Sequence, residues 1–115
     1  MLDGLTQTLD VMERRYEELG GQLAQPDVAS DYPRFQEVAK ERASLQRLVS
    51  LYRYYKWAGR EMADAASLVE GNADPELAAL ARQELESLAR RRESLSRDIR
   101  IALLPPDPND ERSVI

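Results

Sequence analysis

The 115-residue sequence contains no cysteine and no histidine. The first absence excludes disulfides and thiolate metal sites, and the two together remove the commonest zinc ligands. Without histidine, imidazole-based acid–base catalysis is impossible within this chain. Aromatics are scarce, with 5 Tyr, 1 Trp and 1 Phe. No apolar run approaches the roughly 18 residues of a membrane helix. The opening residues lack the basic start and apolar stretch of a secretion signal, and their early acids do not suit a transit peptide. A cytoplasmic protein with no metal, cofactor or membrane partner is therefore expected. The net charge of −5 argues against a general nucleic-acid binder, so DNA is not an expected partner.

What remains is rich in Leu, Ala, Glu and Arg, residues that lose little side-chain freedom in a helix. The length suits one domain. Leu2, Leu5, Leu9, Met12, Tyr16, Leu19 and Leu23 recur at alternating spacings of three and four, an a/d seam that needs an apolar partner. Gln25-Pro26-Asp27 ends it, because Pro disfavours helical geometry in the residue before it. A second start follows at Ser30-Asp31-Tyr32-Pro33, where an acceptor precedes a first-turn Pro. From there Val38, Leu45, Leu48, Tyr52, Tyr55, Met62, Ala66 and Val69 hold one register, with Glu41 and Gly59 as its weak positions. Gly71 or Asn72 suits a left-handed helix end. Asp74-Pro75-Glu76 is the strongest cap: an acceptor, a Pro at the first helical position, then an acid near the positive end of the dipole. The third stripe is Leu77, Ala81, Leu85, Leu88, Leu95, Ile99 and Ala102. Arg92 stands in one of its seam positions, its stem on the seam and its head in water.

These patterns predict an all-α fold of three helices, near residues 2–24, 33–70 and 74–104, dominated by a long antiparallel coiled-coil hairpin. Residues 1–104 would form the helical domain. Residues 105–115 would be an extended Pro-rich connector, since Pro105, Pro106 and Pro108 remove donors and fix an extended path, followed by the start of a further domain at Ser113-Val114-Ile115.

Charge is unevenly distributed. Residues 1–32 are acidic, and all bases of the middle third fall between Arg34 and Arg60 beside only Glu37 and Glu41. The plainer reading is a basic helix packed on an acidic one; the other is a basic face for RNA or an acidic partner. Tyr52-Arg53-Tyr54-Tyr55-Lys56-Trp57 interleaves aromatics with bases, as an RNA-stacking surface does. Tyr52 and Tyr55 are seam residues, however, and a middle helix touching two others needs a wide apolar face, so packing is the better account of the motif. Arg90-Arg91-Arg92 with Arg97 and Arg100 is the densest basic cluster, with Glu86, Glu93 and Asp98 close enough for intrahelical pairs. There is no P-loop, metal-ligand spacing or nucleophile–base pair.

The order of segments resembles the N-terminal region of the bacterial release factor 1 family. The resemblance rests on Glu13-Arg14-Arg15-Tyr16-Glu17-Glu18-Leu19, Pro26-Asp27-Val28, Tyr32-Pro33-Arg34-Phe35, Leu51 to Lys56 and Asp74-Pro75-Glu76-Leu77. Its most specific part is Leu103-Leu104-Pro105-Pro106-Asp107-Pro108-Asn109-Asp110-Glu111, where only Pro106 departs, from a common Lys. Such a factor reads the stop codons UAA and UAG on the ribosome and promotes peptidyl-tRNA hydrolysis. It does so through a Gly-Gly-Gln loop in a later domain, whose Gln is methylated by a dedicated methyltransferase. The resemblance thus implies a non-catalytic, ribosome-orienting module near the stalk base. Its candidate ribosome and rRNA contacts are Arg90, Arg91, Arg97, Arg53 and Lys56. Gly20-Gly21-Gln22 is not the family's tripeptide, because it sits inside the first Leu seam and Leu23-Ala24-Gln25 follow it; the expected place is the outer face or frayed end of the first helix. Two other readings remain, a structural coiled-coil adapter and a tRNA-contacting helical arm. The downstream sequence distinguishes them, since a release factor continues with a strand and a later Gly-Gly-Gln loop.

Overall fold

A computed structural model of the chain describes residues 2, 4–71 and 74–104. It is all-α, with four helices: α1 (Thr6–Leu23), α2 (Pro26–Ala29), α3 (Tyr32–Gly71) and α4 (Pro75–Leu103). The expectation of three helices dominated by a coiled-coil hairpin is corrected here. Pro26 does more than end the first helix: it occupies the first turn of the one-turn helix α2, where its missing N–H costs nothing. The sequence shows no periodicity over so short an element. The expected connector, residues 105–115, lies outside the described residues.

The second correction concerns α3, whose apolar face is not one seam. Val38 belongs to one core cluster with Leu19 of α1 and Val28 of α2. Leu48 and Tyr52 belong to another, with Leu2, Leu9 and Ile99. Val49 is buried too, and so are Ala58 and Ala65 further along. At about 100° per residue, Val49 and Ala58 point in opposite directions. The 40-residue α3 is thus a spine. α1 and α2 cover its N-terminal part around Val38, α1 and α4 meet on it at Leu48 and Tyr52, and α1 reaches as far as Lys56. This explains the molecule's elongated dimensions of 61 × 40 × 24 Å.

The helix ends follow local chemistry. The Asp74 side chain accepts the Glu76 N–H at 2.9 Å ahead of Pro75, as the cap pattern predicts. Asp31 accepts the Arg34 N–H at the start of α3, while the Ser30 hydroxyl donates instead to the Asp27 carbonyl. Gly71 closes α3 without a left-handed backbone, since no described glycine has a positive φ; Asn72 lies outside the described residues. At the other end Leu2 and Leu5 precede α1, and the Leu5 N–H donates to the Leu2 carbonyl, tucking Leu2 into the core. In α4, Leu77 and Ala102 of the predicted stripe are exposed, and Leu103 packs on the core in place of Ala102.

Candidate interaction surface

α1 and α3 run antiparallel, which brings the acidic N-terminal third alongside the basic middle third. Arg15 of α1 meets Glu41 through two bonds, 2.6 and 3.0 Å long. Glu13 holds two cations of α3 at once: Arg53 Nε at 2.8 Å and Lys56 Nζ at 2.7 Å. Arg53 also reaches Glu17 at 3.0 Å. The Glu13 side chain is only 16% exposed. That partial burial raises its carboxyl pKa, but the hydrogen bonds and charges of Lys56 and Arg53 outweigh it, so the net position is below the ordinary carboxylate range. Nearby, the Tyr52 hydroxyl donates to Asp10 at 2.6 Å. Burial, then this bond to a carboxylate, raises the Tyr52 phenol well above its usual value.

Two arginines point inward, Arg92 against expectation. The Arg92 head does not lift into water. It lies 3.9 Å over the Tyr55 ring and donates to the Tyr55 carbonyl at 3.2 Å. Arg42 lies over Tyr16 in the same way, 4.3 Å from the ring centroid. In both cases a glycine follows the tyrosine by four residues and leaves the slot open. A Cβ on Gly59 would come within 2.8 Å of the Arg92 guanidinium, and one on Gly20 within 3.3 Å of Arg42. The repeated Tyr-x-x-x-Gly spacing, Tyr16–Gly20 and Tyr55–Gly59, was the signal in the sequence. Cation–π contact with a partly desolvated ring is worth about 1 kcal/mol at such sites.

The tripeptide Gly20-Gly21-Gln22 is helical throughout, inside α1. Gly21 faces open space, but Gly20 faces α3, so only part of the outer-face reading holds. A Cβ at Gly21 would meet nothing within 4 Å. Gly21→Ala should therefore stabilise the fold by about 0.5–1 kcal/mol through helix propensity. Gly59→Ala should gain little or lose stability, because Arg92 must leave its slot. Urea midpoints of the two variants test this, and an equal gain at both positions would show that the Arg92 slot contributes nothing.

The five candidate contacts are not brought together. Arg53 and Lys56 face α1 and are engaged by Glu13 and Glu17. On α4, Arg97 pairs with Glu93 at 3.4 Å, and Arg91 donates to the Tyr54 hydroxyl. Arg90 is exposed, with no ion pair among the described residues. The packing account of the aromatic motif holds for half of it. Tyr52 is buried and Tyr55 half-buried, but Tyr54 and Trp57 are 39% and 41% exposed. No group of His, Cys, Asp or Glu among the described residues is placed to hold a metal ion, and no described helix is long and apolar enough to cross a membrane.

Residues 12–115 match the model of the PCRF domain. The chain belongs to the PCRF domain family. It is 44% identical over 107 residues to peptide chain release factor 1 of Enterococcus faecalis, covering 93% of this chain and 30% of that protein. It is 39% identical over 114 residues to peptide chain release factor 1 of Ligilactobacillus salivarius, covering 99% of this chain and 32% of that protein. With the Streptococcus pneumoniae factor of the same name it shares 44% over 108 residues, 93% of this chain and 30% of that protein. This PCRF domain thus spans about a third of the length of the curated relatives it matches. No solved structure matches it.

Proposed function

We propose that this PCRF domain is the non-catalytic, ribosome-orienting module of a cytoplasmic translation termination factor. The whole protein would recognise UAA and UAG on the ribosome and promote peptidyl-tRNA hydrolysis. The observation that carries this reading is the family match along nearly the whole chain, together with release factor 1 relatives at 39–44% identity. Residues 1–104 are the helical domain in this proposal, and 105–115 lead to the next one. The module's partners are the ribosomal stalk base and its rRNA; the glutamine methyltransferase would act on a later domain. Among the sequence candidates, Arg90, Arg91 and Arg97 are exposed on α4 and suit such contact. Arg53 and Lys56 serve the α1–α3 seam and are weaker candidates.

Peptide release requires a group held within hydrogen-bond reach of the ester, at an effective concentration that the side of a helix does not supply. Gln22 is in the last turn of α1, without a loop to extend it. In single-turnover release on stop-programmed ribosomes, the 115-residue chain should give no codon-dependent hydrolysis. Gln22→Ala in the whole factor should keep the rate within about twofold, under about 0.5 kcal/mol of barrier. Deleting the helical domain should instead slow factor association. A release rate depressed a hundredfold by Gln22→Ala would overturn the non-catalytic assignment.

A further inference from the structure

Between Arg42 and Arg60, α3 carries five basic residues and no acidic one. The structure divides these cations into two groups. Arg42 is stacked on Tyr16, and Arg53 and Lys56 are engaged by the acids of α1. Arg47 and Arg60 are exposed and have no ion pair among the described residues. Between them, Tyr54 and Trp57 stand out from the helix as an edge-to-face pair, ring centroids 5.4 Å apart at 83°. Tyr54, Trp57 and Arg60 follow at intervals of three, which makes them surface neighbours. Across the groove Arg91 of α4 adds a further cation, its guanidinium 5.8 Å from the Tyr54 ring. Glu61 and Asp64 close the strip at one end.

We infer that the strip Arg47–Tyr54–Trp57–Arg60, with Arg91, is an RNA-binding surface that stacks an unpaired base on Trp57 and places the flanking phosphates on the arginines. This inference rests on the proposed ribosomal role and assigns it a face that the sequence candidates, apart from Arg91, do not include. Exposed aromatics interleaved with cations suit single-stranded RNA, because every base offers a stacking face and every linkage a charge. An acidic protein would satisfy the arginines but would gain no stacking on the indole. The chain's overall charge of −5 does not oppose this, since Glu13 and Glu17 of α1 are engaged by Arg53 and Lys56 and screening confines their effect to about 10 Å.

The chain's single Trp is itself the reporter. Titrating the 115-residue chain with oligouridylate of about a dozen nucleotides should quench Trp57 emission, whereas heparin, a polyanion without bases, should not. By anisotropy of labelled RNA, Trp57→Ala should weaken binding about tenfold, and Trp57→Phe should recover part of the loss. Arg47→Ala and Arg60→Ala should each lower the slope of log affinity against log salt by about 0.7. Arg82→Ala, nine residues from Arg91 and so on the opposite side of α4, should change nothing. Absence of RNA binding, or binding indifferent to Trp57→Ala, overturns the inference. So does polyglutamate competing as well as RNA, which would make the strip a surface for an acidic protein. Co-sedimentation with ribosomes separates the two proposals. If wild type and Trp57→Ala co-sediment equally, the ribosomal role stands and the strip falls. If wild type fails to co-sediment while oligouridylate binding still depends on Trp57, the strip stands and the ribosomal role falls.

Discussion

Leu9→Ala should destabilise the fold by about 3–4 kcal/mol, the largest loss expected from a single side chain here. Leu9 is 1% exposed and lies in the cluster of Leu2, Leu48, Tyr52 and Ile99, where α1, α3 and α4 converge. Truncating it removes the transfer free energy of three carbons and leaves a void that three helices cannot close together, because each is held elsewhere by other contacts. For a domain of this size, whose total stability is on the order of 5–15 kcal/mol, that is a large fraction. Val11→Ala is the control. Val11 is on the same helix but exposed, and its loss should stay within about 0.5 kcal/mol. Urea unfolding with an unchanged m-value would compare the two directly. Equal losses would mean that α1 does not seat on α3 and α4 as described.

Glu13→Gln should cost about 2 kcal/mol at neutral pH and much less near pH 3. Glu13 accepts from both Arg53 and Lys56, and charge-assisted bonds of this kind contribute more than neutral ones. The loss is modest because both cations remain partly in water and can be hydrated after the substitution. The pH dependence follows from the direction of the shift. A carboxyl whose folded pKa lies below its ordinary value of 4.5 stabilises the fold fully above that value. The contribution is lost as pH falls from about 4.5 through the lower folded pKa. Glu41, whose bonds to Arg15 lower its pKa against a smaller opposing effect of burial, acts in the same sense and the same window. Wild-type stability should therefore decline through the acid range, and the Glu13→Gln variant should decline less. Thermal melts at pH 7 and pH 3 measure the difference, and parallel declines in the two proteins would show that the Glu13 cluster is not the source.

Helix content was legible in the residues because it depends on local terms: spacing of apolar side chains, capping acceptors, and Pro and Gly at the breaks. Asp74-Pro75-Glu76 behaves as its sequence reads for that reason, and so do the core assignments of Leu9, Leu19, Leu48, Leu88 and Ile99. The family resemblance was legible too, from the order of short motifs. The helix α2 was not, since four residues span barely one turn and carry no periodicity, and its stability comes from Val28 docking beside Leu19 and Val38. Nor could the pattern show that α1 and α4 share α3 and meet on it at Leu48 and Tyr52. A continuous apolar register looks the same whether one neighbour covers it or several, and only packing revealed that Val49, Ala58 and Ala65 are buried as well.

The same limit applies to the charged and aromatic residues. The sequence determined that cations and rings would be interleaved along α3, and by itself it could not say which of them another helix covers. Tertiary structure decided that. Docking α1 antiparallel on α3 draws Arg53 and Lys56 to its acids and buries Tyr52. Tyr54, Trp57, Arg47 and Arg60 remain exposed. Arg92 and Arg42 turned inward because Gly59 and Gly20 left slots beside a tyrosine ring, a fit that exists only once two helices meet. Periodicity places a side chain on its own helix, whereas exposure and charge pairing depend on what lies opposite, and that is set by contacts between residues far apart in the chain.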